Sequence, residues 1–373
     1  MDKNTLIIDC GSGYCKAGFS GEIDPTIVIP TTVWHPISNN MITTDDKSSL
    51  LFGGKALEAE NGLLVHPIEK RKIVKWDDME LFLDNLFTNE LKIKPEDYCI
   101  FMTEPPLTTK SSRETLTQLL FEKFNAPFIF ITNGAVLTSY GACKYSGLVL
   151  DVGYDSSIAV PIEYGYPYSS CIQTIDVGGK DVSEYLKKLL VNKGYEERKI
   201  RNSIDLIKEK HCYIEDEKNA KIKSDNKNIK ITKFNLPDGT EISLDKEKFL
   251  GPEILFHPEM INKTLGGLDY IFCTALSSID HTTKNKFEGD NLILAGASTL
   301  FEGFNERLKF EIDRDFGGKY KNRMNFISIK ERKNLQWIGA SIYSLMHIFK
   351  GLCTSKEEYN NYGTEAVHNK CFY

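Results

Sequence analysis

"LIIDCGSGYCKAGF", Leu6 to Phe19, is the stretch on which the fold of this chain turns. An apolar run ends in Asp9, Gly11 and Gly13 follow, and a second apolar run leads away. The pattern predicts a strand, a tight turn and a second strand, with Asp9 fixed at the carboxyl end of the first. Glycines without a Cβ let successive backbone N–H groups point into one concavity, which suits phosphate oxygens. Ser12 adds a hydroxyl donor and Lys16 a compensating cation. Asp9 repels a phosphate directly, but it can hold the waters of a Mg2+ that bridges phosphates, since Mg2+ keeps several waters and needs few carboxylates. About 140 residues further on, "LVLDVGYDSSIAV" (Leu148–Val160) opens in the same way, with Asp151 and Gly153 in the matching places. Either turn alone reads equally well as a plain surface turn, because Asp and Gly are common at strand ends. The two together point to a duplicated half and to a nucleotide held in a central cleft.

The bulk numbers are compatible with that reading. With 373 residues the chain exceeds what one compact core usually takes, so two or more domains are expected. A hydrophobic content of 41% and a charged content of 26% are those of a globular protein, and a formal charge of -6 gives no support to broad nucleic-acid binding. "MDKNTLIID" reads as no secretory signal and no apolar run approaches bilayer length, so no membrane insertion is expected. Nine scattered cysteines without a Cys-x-x-Cys pair read as reduced thiols, and seven histidines show no zinc-binding spacing.

Short apolar strands alternate with amphipathic helices, which predicts an α/β fold. "YCIFMTE" (Tyr98–Glu104) and "APFIFIT" (Ala126–Thr132) are strand candidates around a helix over Lys110–Phe124. In that helix Leu116, Leu119, Leu120 and Phe124 form one buried stripe. Strand, helix and strand make a right-handed crossover with parallel strands. "LPDGTEISL" is a hairpin signal. Asn39–Leu50 and Ile214–Thr232 read as polar surface excursions. Trp337, Ile338, Ile342, Leu345 and Phe349 keep helical spacing and are expected in the core.

"DCGSGYCKAGFSGE" closely resembles the first phosphate loop of actin. Further segments resemble the family in its order and at nearly its spacing: "KWDDMELFLDNLFTNEL", "MTEPPLTTKSSRE", "DLIKEKHCY", "NLPDGTEISL", "ILAGASTLFEGFNERL", "KERKNLQWIGASI" and "SKEEYNNYGTEAVHNKCFY". The chain is identified as a full-length member of the actin and actin-related family. The resemblance implies an actin-like ATPase fold of two similar lobes and four subdomains around a nucleotide cleft. These would be residues 1–30, 67–141 and 335–373; 31–66; 142–177 and 265–334; and 178–264. It implies ATP or ADP with Mg2+ (or Ca2+). Asp9 and Asp151 match the cation-site aspartates, and Gly11, Ser12, Gly13, Tyr14 and Lys16 the first phosphate loop. Gly153, Tyr154, Asp155 and Ser156 fall on the second loop, and Gly179 is assigned to the same site. Lys208 and Glu209 match an adenosine-side pair, Gly296, Ala297, Ser298, Leu300 and Phe301 the loop under the nucleotide, and Lys333 a lysine near the adenine. Taken without their flanking motifs, Lys208 and Lys333 read as solvated charges.

The departures bear on hydrolysis, which needs a water in line with the terminal phosphate. The family's glutamine position is Gly134 here and its histidine position is Ile158. The second loop carries Tyr154 and Asp155 where an aspartate and a glycine are usual, and Asp155 is expected to need unusual backbone geometry. Ala297 replaces a glycine. Polymer-contact regions also depart: Asp2 and Lys3 begin the chain, the plug segment His257–Leu268 is polar, Lys70 stands at the histidine near the phosphate sensor, and Cys353 replaces a tryptophan. The expectation is an actin-related cytoskeletal protein with slow or absent hydrolysis. Its partners would be actin-like subunits or a multi-subunit cytoskeletal complex, with no direct nucleic acid, in the cytoplasm and cytoskeleton or in the nucleus. The alternatives are a divergent polymerising actin ATPase, a nuclear chromatin-complex subunit and, least supported, a sugar kinase of the same superfamily.

Overall fold

The computed structural model describes residues 5–38, 41–42, 49–216, 231–264, 266–279, 291–315 and 324–371. Asp2 and Lys3, most of the 39–50 segment and residues 217–230 lie outside the described residues. The chain divides into two compact units. Unit 1 holds residues 1–149, 162–169 and 329–373, and unit 2 holds residues 150–161 and 170–328.

Unit 1 begins as its first motif predicts. Strand β1 (Thr5–Cys10) turns at the glycines into β2 (Tyr14–Phe19), which pairs with β3 (Ile27–Pro30). β4 (Cys99–Glu104) lies parallel to β1, and β5 (Phe128–Asn133) lies parallel to β4. The helix that crosses between them is shorter than expected: α1 spans Lys110–Gln118, and a wider π-helical turn continues over Leu119–Lys123. Thr109 caps α1 by accepting the Ser112 N–H, satisfying one of the donors that a helix start leaves unpaired. Asn133 caps the next helix, α2 (Gly134–Gly141), in the same way.

Unit 2 carries a second sheet. β6 (Gly147–Val152) is flanked by β7 (Ser157–Glu163) on one side and by β9 (Asn291–Ala295) on the other, with β10 (Asn325–Ile327) parallel to β9. β8 (Gln173–Ile175) pairs with β7. Helices α3 (Gly179–Asn192) and α4 (Ile204–His211) share a core of Leu186, Leu190, Ile204 and Ile207 with the expected hairpin, whose strands are Thr232–Asn235 and Glu241–Leu244.

The chain ends back in unit 1, with α5 (Leu335–Ser344) and a short edge strand β11 (Thr354–Ser355) on β5. Successive strand residues face opposite sides of a sheet, and the two cores follow that period. Leu6, Ile8, Ile100, Met102, Ile129 and Ile131 pack with Met79, Phe82, Leu116 and Leu120 on one side. Ile7, Phe101 and Phe130 pack with Leu137 of α2 and with Trp337 and Ala340 of α5 on the other. Each fully buried side chain of this size contributes about 1.5–3 kcal/mol.

The expected C-terminal stripe needs correction. Trp337 and Phe349 are buried, but Ile342 is 38% and Leu345 66% exposed. α5 stops at Ser344 and Phe349 starts a separate short helix, so the stripe does not continue along one helix. The α/β class itself is as expected.

Candidate functional site

Asp9 is positioned by strand register. It stands opposite Lys16 on antiparallel β2, and the parallel pairing of Ile8 with Met102 brings Thr103 of β4 alongside it. Asp9 is buried, and its carboxylate is held from three directions. Oδ2 accepts from Lys16 Nζ at 3.1 Å. Oδ1 accepts from Thr103 Oγ1 at 2.7 Å and from Gln336 Nε2 at 2.6 Å. Asp9 lies on the face of β1 that carries Ile7, because the two are separated by one period of the pleat. That is the face covered by α5, which explains how Gln336 reaches it.

The turn after Asp9 closes with the Gly11 N–H donating to the Tyr14 carbonyl at 3.0 Å. Ser12 and Gly13 are buried within it, and Tyr14 is exposed. Neither glycine has a left-handed φ, and a Cβ at Gly11 would meet only the Tyr14 carbonyl oxygen, at an ordinary contact distance of 3.4 Å.

In unit 2 the turn after Asp151 closes in the matching way, with the Gly153 N–H donating to the Ser156 carbonyl, also at 3.0 Å. The strain expected at Asp155 is absent: neither it nor Tyr154 has a positive φ. The closure does not require a left-handed residue, so non-glycine side chains fit. The turn's carbonyls are occupied by the start of α3, since the Gly179 N–H donates to Gly153 O at 3.0 Å and the Lys180 N–H to Tyr154 O at 2.6 Å. Ser298 Oγ adds a donor to Gly153 O at 3.3 Å.

Gly296 is the tightest position of this second constellation. Its φ is +86°, and a Cβ there would stand 2.2 Å from the Val152 carbonyl oxygen and 2.7 Å from Asp151 Oδ1. Ser298 follows it, buried, while Ala297 and Leu300 are exposed. Phe301 packs against the core that contains Leu186 and Leu190.

Lys208 is no solvated charge. It is buried on α4 and donates to Gly179 O (3.1 Å), Ser183 Oγ (2.7 Å) and Asp205 Oδ1 (2.6 Å). Burial opposes the Asp205 charge, but the Lys208 ammonium and the donors from Lys208 and Ser183 outweigh it and hold that carboxyl below its usual range. The network ties α4 to the start of α3. Glu209 and Lys333 are exposed.

Gly134 opens α2, and the space beside it is filled. A Cβ at Gly134 would stand 2.3 Å from Gln336 Nε2. The side chain that bonds Asp9 thus occupies the volume which a side chain at position 134 would need. Ile158 is buried in β7 and pairs with Thr174 of β8, so that position is a core residue. Lys70, with Arg71, forms the left-handed two-residue turn between the paired segments Ile68–Glu69 and Lys72–Ile73. Cys353 is buried with its Sγ 3.6 Å from that of Cys99.

Thr103 and Gln336 are the residues that motif reading did not single out. Thr103 becomes visible once β4 is placed parallel to β1. Gln336 has only an indirect signal, the glycine at 134 that leaves room for it.

The residues fit a magnesium-bound polyphosphate. Among the described residues no group of three or more His, Cys, Asp or Glu side chains is placed to hold a metal ion. A single buried carboxylate beside a lysine and a glycine turn suits Mg2+, which takes most of its ligands from water and phosphate. Among the described residues no helix is long and apolar enough to cross a membrane.

The family model described as Actin matches residues 1–372.

Proposed function

Because this chain belongs to the actin family, we propose that it binds ATP or ADP with Mg2+ through the Asp9 and Asp151 turns and serves as a structural subunit of a cytoskeletal, motor-associated or filament-nucleating or capping assembly. Members of this family generally bind nucleotide with a divalent cation and act with protein partners. The match over residues 1–372 carries the reading, and the four-subdomain division given above belongs to the same proposal. Asp9 and Asp151 would hold the cation's waters, and the backbone turns at Gly11–Tyr14 and Gly153–Ser156 would receive phosphate oxygens. Lys208, Gly296 and Lys333 would border the nucleoside. The nucleotide supplies the bound anion, and closure around it is the switch such a protein can offer its partners.

Hydrolysis is proposed to be slow or absent, because Gly134, Tyr154 and Ile158 stand where the family positions its attacking water. The test is nucleotide binding followed by single-turnover phosphate release. Tight binding with release far slower than that of conventional actin supports the reading, and release at the conventional rate removes the hydrolysis part of it. The polymerising alternative is favoured by the actin-like segment "SKEEYNNYGTEAVHNKCFY". Sedimentation of purified protein with Mg-ATP, with phosphate release tracking assembly, would select it. Purification of the tagged chain from its own cells then decides between cytoskeletal and nuclear assemblies.

A further inference from the structure

The Asp9 carboxylate is held by an amide from a distant part of the chain. Gln336 Nε2 donates to Asp9 Oδ1 at 2.6 Å, and Thr103 Oγ1 donates to the same oxygen at 2.7 Å. A carboxylate oxygen has two lone-pair sites, so Oδ1 is fully engaged by protein. Oδ2 accepts from Lys16 at 3.1 Å and keeps one site. The two donors therefore fix which oxygen they engage and which is turned toward Lys16.

The same glutamine lies against Gly134, where a Cβ would meet its amide nitrogen at 2.3 Å and its Cδ at 2.4 Å. Both α2 and α5 pack on one face of the sheet, so the amide is held between the start of α2 and the end of β1. The absence of a side chain at 134 is thus a condition for the Gln336–Asp9 bond.

We propose that Gln336 is a positioning residue for the cation site: it orients Asp9 toward a divalent cation, and Gly134 is required because it leaves room for the glutamine. The proposal rests on the nucleotide-and-cation reading above and deepens it. A partner that orients a metal-ligating group typically changes metal affinity 10- to 100-fold when removed. Gln336 touches neither cation nor phosphate in this account, and its effect passes through Asp9.

The experiment measures how nucleotide affinity depends on free Mg2+, using displacement of a fluorescent ATP analogue, together with the melting temperature of each variant without ligand. Gln336→Met keeps the side-chain volume and loses the donor. Its cation half-point is expected to rise about 10-fold while the ligand-free melting temperature stays near that of the parent. Gly134→Ala displaces the amide and is expected to mimic Gln336→Met, and in the Gln336→Met background it is expected to add little, the mark of two changes acting through one contact. A folded Gln336→Met protein with the parental Mg2+ half-point overturns the proposal. So does a Gly134→Ala effect on the half-point that adds fully to that of Gln336→Met. Failure of the parent chain to bind nucleotide at any Mg2+ concentration overturns the function reading itself, and this inference with it, and is distinguished by being a property of the parent.

Discussion

At the scale of single residues, the positions that tolerate least are those where backbone approaches backbone. Gly296 combines a φ of +86° with a Val152 carbonyl oxygen 2.2 Å from any Cβ. Gly296→Ala must both adopt a left-handed conformation and push aside main chain, so a loss of roughly 2 kcal/mol or more is expected. The midpoint of urea unfolding checks it. An unchanged midpoint would mean that the loop before Ser298 yields at no cost. Asp269 gives a pH dependence of definite sign. Burial first, then the nearby Asp315 and Glu311 charges, push its carboxyl from 3.8 up to about 6, against hydrogen bonds from the Asp269 and Tyr270 backbone N–H groups. The folded state holds this proton more tightly than the unfolded chain, so folding is penalised as pH rises from about 4 through about 6. Asp269→Asn is therefore expected to stabilise the chain by up to about 3 kcal/mol at pH 7 and by well under about 1 kcal/mol at pH 4. Equal effects at the two pH values would show that the charge is not the cause.

At the scale of elements, the α2–α5 pair organises unit 1. The helices approach so closely that a Cβ at Gly339 would stand 1.7 Å from the Leu137 carbonyl oxygen, and one at Gly141 2.5 Å from the Leu335 carbonyl oxygen. Gly339→Ala is expected to separate the helices, to cost about 3 kcal/mol, and to carry Gln336 away from Asp9. Its melting temperature should fall, and its Mg2+ half-point should rise as in Gln336→Met. The same elements show what a sequence can and cannot reveal. The β1 turn, the crossover through α1 and the hairpin over Thr232–Leu244 were legible because each is a local pattern of period and turn residues. The exposure of Ile342 and Leu345 was not, because helical spacing says which residues share a stripe but not where the helix stops. Within the candidate site, the clustering of Asp9, Gly11 and Lys16 was legible because they are neighbours in one hairpin. It was illegible at Gln336, since only the packing of α5 onto β1 brings that amide to Asp9, across nearly the whole chain.

At the scale of the molecule, a ligand that binds only the folded chain adds stability as RT ln(1 + [L]/Kd), about 2.7 kcal/mol when the ligand stands at 100 times its Kd. The chain divides into two compact units, each with its own sheet and its own Asp-x-Gly turn, closed by the same N–H to carbonyl bond at 3.0 Å. If nucleotide engages both turns, one ligand stabilises both units, and its removal must show in the unfolding of each. Calorimetry with saturating Mg-ATP is expected to give a higher melting temperature than calorimetry after chelation, by several degrees, and the shift should grow with the logarithm of nucleotide concentration. Asp9→Asn and Asp151→Asn should each reduce the Mg2+-dependent part of that shift, since each removes one of two carboxylates proposed for the same cation. A shift abolished by Asp9→Asn but untouched by Asp151→Asn would confine the ligand to unit 1. In that event the second turn, whose carbonyls are already bonded by the start of α3 and by Ser298, would be a purely structural copy of the first.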